Sequence, residues 1–219
     1  MSQVPLEQVR QFLLQLFKKW GLPKAFRTDN GMPFGLPSRD AIPIMSLWLK
    51  GWGIKPILNR PKHPQDNAQV ERIQGTSSRW AEVHKATDIV DLQRKLHLII
   101  QEQRDKYPVK RLKQAFRTQV FPDLYEVKRP FDELKFDLIA VYQFLESKTL
   151  QRKVATSGNV SIYGKVSYLD AKIKGTLAFF KFDSIKMQWI ACNSNKDILK
   201  SVPDDRFSKE NIFLLTVCQ

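Results

Sequence analysis

The 219-residue sequence is poor in cysteine and has no long apolar run. Cys192 and Cys218 are its only cysteines, too few for a disulfide framework or a thiolate metal cluster. No apolar stretch approaches the roughly 18–20 residues that cross a bilayer. The first residues lack the basic start and apolar centre of a signal peptide, and long-period repeats are absent. We therefore expect a cytosolic globular protein.

Basic residues outnumber acidic ones along the whole chain. There are 36 Lys and Arg against 22 Asp and Glu, which gives a net charge of +14 and a pI near 9.8. Residues 1–107 carry 17 basic and 10 acidic groups (+7), residues 108–153 carry 10 and 6 (+4), and residues 154–219 carry 9 and 6 (+3). An excess distributed in this way favours a polyanionic partner, nucleic acid first and anionic membrane second. A basic protein without such a partner stays open on charge alone.

The first half of the sequence alternates helices and strands. Apolar spacings of three and four predict helices at 5–20, 40–50, 66–85 and 87–106, and short apolar runs predict strands at 24–28 and 54–59. Asp66 is the expected N-cap of the third helix. Because a helix separates the two strands, they should be parallel. Two strands are too few for a parallel sheet covered by helices, so we expect this α/β half to be incomplete.

The second half changes to strand-like patterning. Residues 108–135 form a basic connector interrupted by prolines. After it, alternating apolar residues and glycine turns predict strands at 138–144, 153–156, 160–163, 166–169, 176–182 and 187–192. So many short strands in succession predict a small β-barrel.

Two acids stand out by their surroundings. Asp29 directly follows the strand predicted at 24–28, and Glu71 lies near the start of the third predicted helix. Asn67 precedes Glu71 by four residues, so the two share one helical face. The local sequence has an ordinary explanation as well, because Asp-Asn-Gly at 29–31 is a common turn and a helical Glu is often merely solvated. Both interpretations stay open.

Taken together and in order, these landmarks match a known pattern. The pieces are Trp20-Gly21-Leu22-Pro23, Thr28-Asp29-Asn30-Gly31 with Phe34, Trp48 through Gly53-Ile54, Arg60-Pro61 with Pro64, Asn67, and Glu71-Arg72. They resemble the catalytic core of bacterial insertion-sequence transposases and retroviral integrases, which has the ribonuclease H-like D-D-E fold. Tyr107-Pro108 with Arg111-Leu112, Ala115, Phe116 and Thr118 is similar to the exit from that core, and residues 152–182 resemble the small β-barrel that follows it in many transposases. The spacing from Asp29 to Glu71 is longer than the family's best-known one.

The resemblance implies a fold and a domain order. Residues 1–107 would be a partial ribonuclease H-like α/β core without its first three strands, residues 108–135 a basic linker, and residues 136–219 a small SH3-like β-barrel domain. The strand at 24–28 would then have an uncovered edge. The chain would thus be an N-terminally truncated transposase or integrase.

The resemblance also implies a chemistry. Enzymes of the family cut and join double-stranded DNA by phosphoryl transfer, with Mg²⁺ or Mn²⁺ ions held by three carboxylates. Asp29 would be the second of these acids and Glu71 the third, both as catalytic residues and metal ligands. The first has no counterpart, since Glu7, the only acid before Asp29, lies on the polar side of the first helix. We therefore expect weak or absent metal binding and little or no catalysis by this chain alone.

Several residues are candidate DNA contacts by the same resemblance. They are Asn67, Arg72, Gly75, Ser78, Arg79, Lys110 and Arg111. Asn67 would orient Glu71 or touch DNA, whereas the basic residues of that helix are equally explained as a solvated face. Lysines 172, 174, 181 and 186 of the expected barrel are likewise interpreted either as contacts to the DNA backbone or as ordinary surface residues.

Three functions remain open. The first is a recombinase fragment, associated with the nucleoid, that binds element ends and target DNA as a homo-oligomer or with a full-length transposase. The second is a non-catalytic DNA-binding regulator or inhibitor of such a transposase. The third is a protein-interaction module that does not bind DNA. DNA affinity that falls steeply with salt separates the first two from the third.

Overall fold

The computed structural model describes residues 4–35, 41–60 and 62–217. The fold is mixed α/β, with helices, one parallel strand pair and antiparallel sheets. Its helices are α1 (Leu6–Trp20), α2 (Ile44–Gly51), α3 (Ala68–Trp80), α4 (Ile89–Asp105), α5 (Arg117–Val120), α6 (Leu138–Glu146) and α7 (Lys209–Leu214). Its strands are β1 (Ala25–Thr28), β2 (Lys55–Leu58), β3 (Leu150–Lys153), β4 (Asn159–Ile162), β5 (Lys165–Tyr168), β6 (Leu177–Asp183), β7 (Gln188–Cys192) and β8 (Ile198–Pro203).

Some predicted features cannot be compared with the structure. The expected start of the second helix at Asp40, residues 36–39 of the preceding loop, Pro61 and Cys218 lie outside the described residues. Within the described ranges, no helix combines the length and apolar character needed to cross a membrane.

The chain divides into two compact units. The first comprises Met1–Leu58 and Arg129–Gln219, and the second comprises Asn59–Lys128. The predicted core over 1–107 therefore contributes to both units. Residues 108–128 of the predicted linker belong to the second unit and the rest of it to the first.

The parallel pairing predicted for the first two strands is confirmed. β1 and β2 run parallel in a two-stranded sheet, in register from Ala25 opposite Lys55 to Thr28 opposite Leu58. The crossover helix α2 is buried on nearly all sides, as expected for a helix that is apolar all round. Trp48 stacks on Phe17 of α1, with ring centroids 5.8 Å apart.

Gly51 and Arg129 allow the segments before and after α2 to pack closely against residues 129–136. A Cβ added to Gly51 would lie 2.2 Å from the ring of Phe136, so only glycine allows this approach. Arg129 donates to the carbonyl oxygens of Pro23 at 2.8 Å and Gly53 at 3.2 Å. This basic residue of the predicted linker therefore has a structural role in the first unit.

The strand predicted at 138–144 is wrong, because these residues form helix α6. Asp137 caps the helix by accepting a hydrogen bond from the backbone N–H of Ala140 at 3.0 Å. Val141 and Leu145 are fully buried and lie four residues apart. One face of a helix therefore explains the apolar pattern that also fits a strand.

The other five predicted strands of the second half correspond to β3–β7 with shifts of one to three residues, and β8 was not predicted. The barrel itself is not confirmed. Among the described residues, the antiparallel strands form a four-stranded sheet in the order β3-β6-β7-β8 and a separate β4-β5 hairpin, not one closed sheet. Helix α6 covers the inner face of the larger sheet, where Tyr142 and Phe182 have ring centroids 6.1 Å apart.

The second unit has much less core than the first. Of its described residues, only Asn59, Ser77 and Ala81 are buried. Helix α3 ends at Trp80 rather than continuing to residue 85 as predicted, and a short 3₁₀ turn follows at Val83–Lys85. Asp88 caps α4 by accepting from two backbone N–H groups at 2.8 Å.

Candidate nucleic-acid interface

The approach to α3 is held by two polar contacts within the second unit. Arg60 donates from its backbone N–H, Nε and Nη2 to the carboxylate of Asp66, at 2.8–3.2 Å. This pairing raises the pKa of the Arg60 guanidinium, through the hydrogen bond to Asp66 first and the opposite charge second. Asp66 is therefore the anchor of the loop, and its predicted role as N-cap is wrong, because Asn67 occupies that position.

Asn67 is fixed in turn by Asn59. The Asn59 amide donates from Nδ2 to Oδ1 of Asn67 at 2.5 Å, and Asn59 is buried. Asn67 makes no side-chain cap hydrogen bond to the helix. Its backbone carbonyl accepts from the N–H of Glu71 at 3.0 Å, so the two residues share one face of α3 as predicted.

Six of the predicted site residues lie together on α3 or at its N-cap. At 3.6 residues per turn, Asn67, Glu71, Arg72, Gly75, Ser78 and Arg79 fall within about 140° of arc. The buried Ser77 lies on the opposite side, where its hydroxyl accepts from Gln103 of α4 at 3.3 Å. Ser77 is the only buried residue of α3, so the helix offers most of its surface, including this arc.

Gly75 makes the arc approachable at its centre. A Cβ built at this position meets nothing within 4 Å, so neighbouring side chains do not explain why glycine stands here. Arg79 reaches back to the carbonyl oxygen of Gly75 at 3.3 Å. Glycine at an exposed helical position costs about 1 kcal/mol relative to alanine, while it allows another molecule to come close to the backbone.

Lys110 and Arg111 belong to the same unit. They lie in a 3₁₀ turn, Lys110–Leu112, and both are exposed. A backbone bridge between Val109 and Ala115 closes the segment that carries them. The unit as a whole has 14 basic and 9 acidic residues between 59 and 128, a net charge of +5.

Asp29 belongs to the first unit, whereas Glu71 belongs to the second. Both side chains are exposed. The Asp29 carboxylate accepts from the N–H of Gly31 at 3.1 Å, the contact expected if Asp29 only starts the turn. This geometry fits the ordinary explanation of Asp-Asn-Gly.

The part of the chain that the structure describes does not bring together the donor set required for magnesium. Within residues 4–35, 41–60 and 62–217, no group of three or more His, Cys, Asp or Glu side chains is placed to hold a metal ion. A two-metal centre needs several carboxylates around one point. The described residues therefore do not fit such a centre, and we derive no catalytic step through a metal.

Sequence reasoning located the arc on α3 but missed what holds it in place. The sequence marks Arg60 as part of a motif and Asp66 as an expected N-cap, but it does not predict their pairing, because any two opposite charges six residues apart could be solvated. Asn59 was interpreted only as the end of a strand. Their contacts depend on how the chain turns between β2 and α3, which local patterns do not specify.

The chain was compared with models of known protein families, and none of them matches it.

Proposed function

We propose that this protein binds double-stranded DNA and is related to D-D-E transposases and integrases. In this interpretation β1, α2, β2 and α3 correspond to part of a ribonuclease H-like core, and the later strands correspond to the small β-barrel of transposases. The ordered sequence landmarks support the relationship, and the parallel β1–β2 pair joined through α2 is compatible with it. The proposal concerns binding, and it assigns no catalytic step to the chain.

The observation that carries the proposal is the surface of α3. Arg72 and Arg79 are exposed on the arc of six residues that surrounds the open backbone at Gly75. Guanidinium groups bind phosphate oxygens with paired hydrogen bonds, and most contacts between proteins and DNA are made to phosphate and sugar. The net charge of +14 adds attraction at longer range.

The test is salt-dependent binding of a mixed-sequence duplex, measured by fluorescence anisotropy. Replacing Arg72 and Arg79 together by Gln should weaken binding and lower the slope of log K against log salt by about 1.8, or about 0.9 for each lost phosphate contact. The matched control is Lys85→Gln with Lys106→Gln, which removes the same charge from exposed positions of this unit outside the arc.

Equal losses in the two double variants would overturn the assignment to α3, because charge alone would then explain them. Binding that ignores ionic strength would overturn the proposal as a whole. Cleavage or strand transfer on transposon-end DNA by this chain alone, with Mg²⁺ or Mn²⁺, would contradict the expectation of little or no catalysis.

A second candidate function is regulation of a full-length transposase through mixed oligomers. The exposed apolar residues of α4 favour it, since Ile89 and Val90 are each 73% exposed and Leu98 is 53% exposed. Apolar surface of this kind is typical of contacts with another protein. In the same experiment, retained duplex binding by the Arg72 and Arg79 variant would show that α3 is not the surface that binds the duplex.

A further inference from the structure

The outer face of the four-stranded sheet carries a second set of residues suited to a nucleic acid. Along β6, Ala178, Phe180 and Phe182 are buried in the core. Successive side chains of a strand point to opposite faces. Phe179 and Lys181 therefore lie on the other face of the sheet, which α6 does not cover.

The strand register places the outer residues in rows. Phe179 lies opposite Cys192 of β7 and Gln151 of β3, and Lys181 lies opposite Ile190. Directly opposite residues of antiparallel strands have Cα atoms about 4.5–5.5 Å apart. The ring of Phe179 is thus flanked by a small thiol and an amide, and a lysine follows two residues along the same strand.

A groove runs over these residues, with a volume of about 380 Å³. Phe179, Cys192 and Lys181 line it from the sheet, and Asn193 and Lys196 line it from the loop after β7. Such a volume accommodates one planar ring system with its polar substituents.

The loop that walls the groove is preformed. The Asn193 side chain accepts from the backbone N–H groups of Asn195 and Asp197, both at 2.9 Å, and donates to the Asp197 carboxylate at 2.9 Å. The bond from Lys196 N–H to the Asn193 carbonyl, at 3.1 Å, closes the turn. The position of Lys196 at the edge of the groove therefore does not depend on a ligand.

The charged residues that line the groove are two lysines, Lys181 and Lys196. Across the described ranges of the chain, neither Lys181 nor Lys196 forms an ion pair. The two nearest carboxylates in sequence are occupied locally, Asp197 by Asn193 and Asp183 by the N–H groups of Ile185 and Lys186 at 3.1 Å. An anion that enters the groove thus meets two lysines that form no ion pair within the described residues.

We propose that this groove binds single-stranded DNA, with one unpaired base stacked on Phe179 and the flanking phosphates held by Lys181 and Lys196. An aromatic ring between lysines on an open sheet face is the arrangement by which many proteins bind single strands, because every base has a π-face and every link has a phosphate. A duplex does not fit, since its bases are stacked inside and cannot reach the ring. The choice of DNA rather than RNA rests on the proposed function, whereas the surface itself is separate from α3.

The test uses the full chain and a fluorescein-labelled oligothymidylate of about 16 nucleotides. Phe179→Ala should weaken binding about 10-fold, the loss of one stacked base. Lys181→Gln with Lys196→Gln should lower the salt slope by about 1.4, or about 0.7 for each phosphate contact on a single strand. The matched control is Lys24→Gln with Lys209→Gln, which removes two exposed lysines of the same unit that do not line the groove.

Two further measurements keep the test independent of folding defects. Phe179→Leu retains an apolar side chain while it removes the ring, so it should bind as weakly as the alanine variant. In a Cys218→Ser background, Cys192 is the remaining cysteine, and oligothymidylate should slow its alkylation because it lies in the groove. Circular dichroism of each variant confirms that the fold is retained.

The proposal is overturned if the groove variants bind oligothymidylate as tightly as the lysine control, or if a duplex protects Cys192 as well as the single strand does. Protection by thymidine monophosphate at the same concentration would also overturn it, since a single nucleotide would then suffice. The variant with Arg72 and Arg79 replaced should keep single-strand binding. A result that contradicts duplex binding by α3 can therefore be distinguished from a result that contradicts single-strand binding by the groove.

Discussion

Asp204 is the buried charge on which the core of the first unit depends. Its side chain is 1% exposed and accepts from Nε of Arg206 at 2.8 Å and from the indole N–H of Trp189 at 3.2 Å. Arg206 also donates to the backbone carbonyl of Tyr163 at 2.7 Å. One carboxylate therefore joins the end of β8 to β7 and, through the arginine, to the β4–β5 hairpin.

Replacing Asp204 by Ala should destabilise the protein by about 3–5 kcal/mol, because the indole N–H of Trp189 would lose its acceptor and the Arg206 guanidinium would lose its opposite charge. Chemical denaturation with urea measures the change. The control is Lys135→Ala, which breaks an exposed pair with Asp132 at 3.8 Å and should cost less than about 1 kcal/mol. Similar losses in both variants would show that Asp204 contributes no more than a surface charge.

At the level of single residues, sequence reasoning was most informative where a side chain acts on its own neighbours. The turn formed by Asp29 and Gly31 follows from local chemistry. The sequence does not predict the contact of Asp204 with Trp189, because the two residues belong to different segments that meet only after the sheet has formed. Charge alone does not distinguish a buried aspartate from a solvated one.

Among the elements, a helix with a clear apolar stripe is easier to predict from the sequence than a short segment that is apolar throughout. Helix α1 begins one residue after its predicted start and ends where predicted, and the β1–β2 register is parallel. Helix α6 was mistaken for a strand because its nine residues are almost all apolar, so periods of two and 3.6 fit them equally well. The signal in the sequence that favours a helix is Asp137, which caps α6.

The carboxylate of Asp91 near the N-terminus of α4 should make the stability of the protein depend on pH in the acidic range. Lys95 and Arg94 hydrogen-bond to Asp91 and lower its pKa to about 2, and a hydrogen bond from the backbone of Thr87 adds to this effect. A carboxylate whose folded pKa lies below its unfolded value of about 3.9 stabilises the fold above that value. The contribution is complete above about pH 5 and is lost as the pH falls toward 2.

We therefore expect the wild-type protein to lose more stability between pH 5 and about pH 2 than the Asp91→Asn variant does. The midpoint of urea unfolding at several pH values within this range measures the difference. Lys95→Gln removes one of the two cations and should give an intermediate dependence on pH. Identical pH profiles for wild type and Asp91→Asn would show that the contacts of the folded state do not lower the pKa of Asp91 below its value in the unfolded chain.

At the scale of the whole molecule, the apolar core is unevenly shared between the two units. The contiguous core of buried apolar residues belongs to the first unit, from Leu13 of α1 to Val217. In the second unit, the described residues contribute only Asn59, Ser77 and Ala81 to the buried set. Apolar residues are less frequent in the second unit, but composition could not predict that those present, such as Ile89 and Leu98, remain exposed there.

This imbalance predicts unequal hydrogen exchange. Amides of α2, β6 and β7 lie in the buried core, so they should exchange mainly through global unfolding, whereas those of α3 and α4 need only local opening. We expect exchange at least on the order of 100-fold faster in α3 and α4, a difference of about 3 kcal/mol in opening free energy.

Mass spectrometry of peptic fragments measures this exchange, and the experiment also tests the binding surface. Duplex DNA should slow the local exchange of α3 amides, because this helix can then open only after the DNA has dissociated. Equal protection of both units in the free protein would contradict the prediction. It would mean that exposed residues such as Ile89 are covered in solution, which would favour an oligomer over the isolated chain.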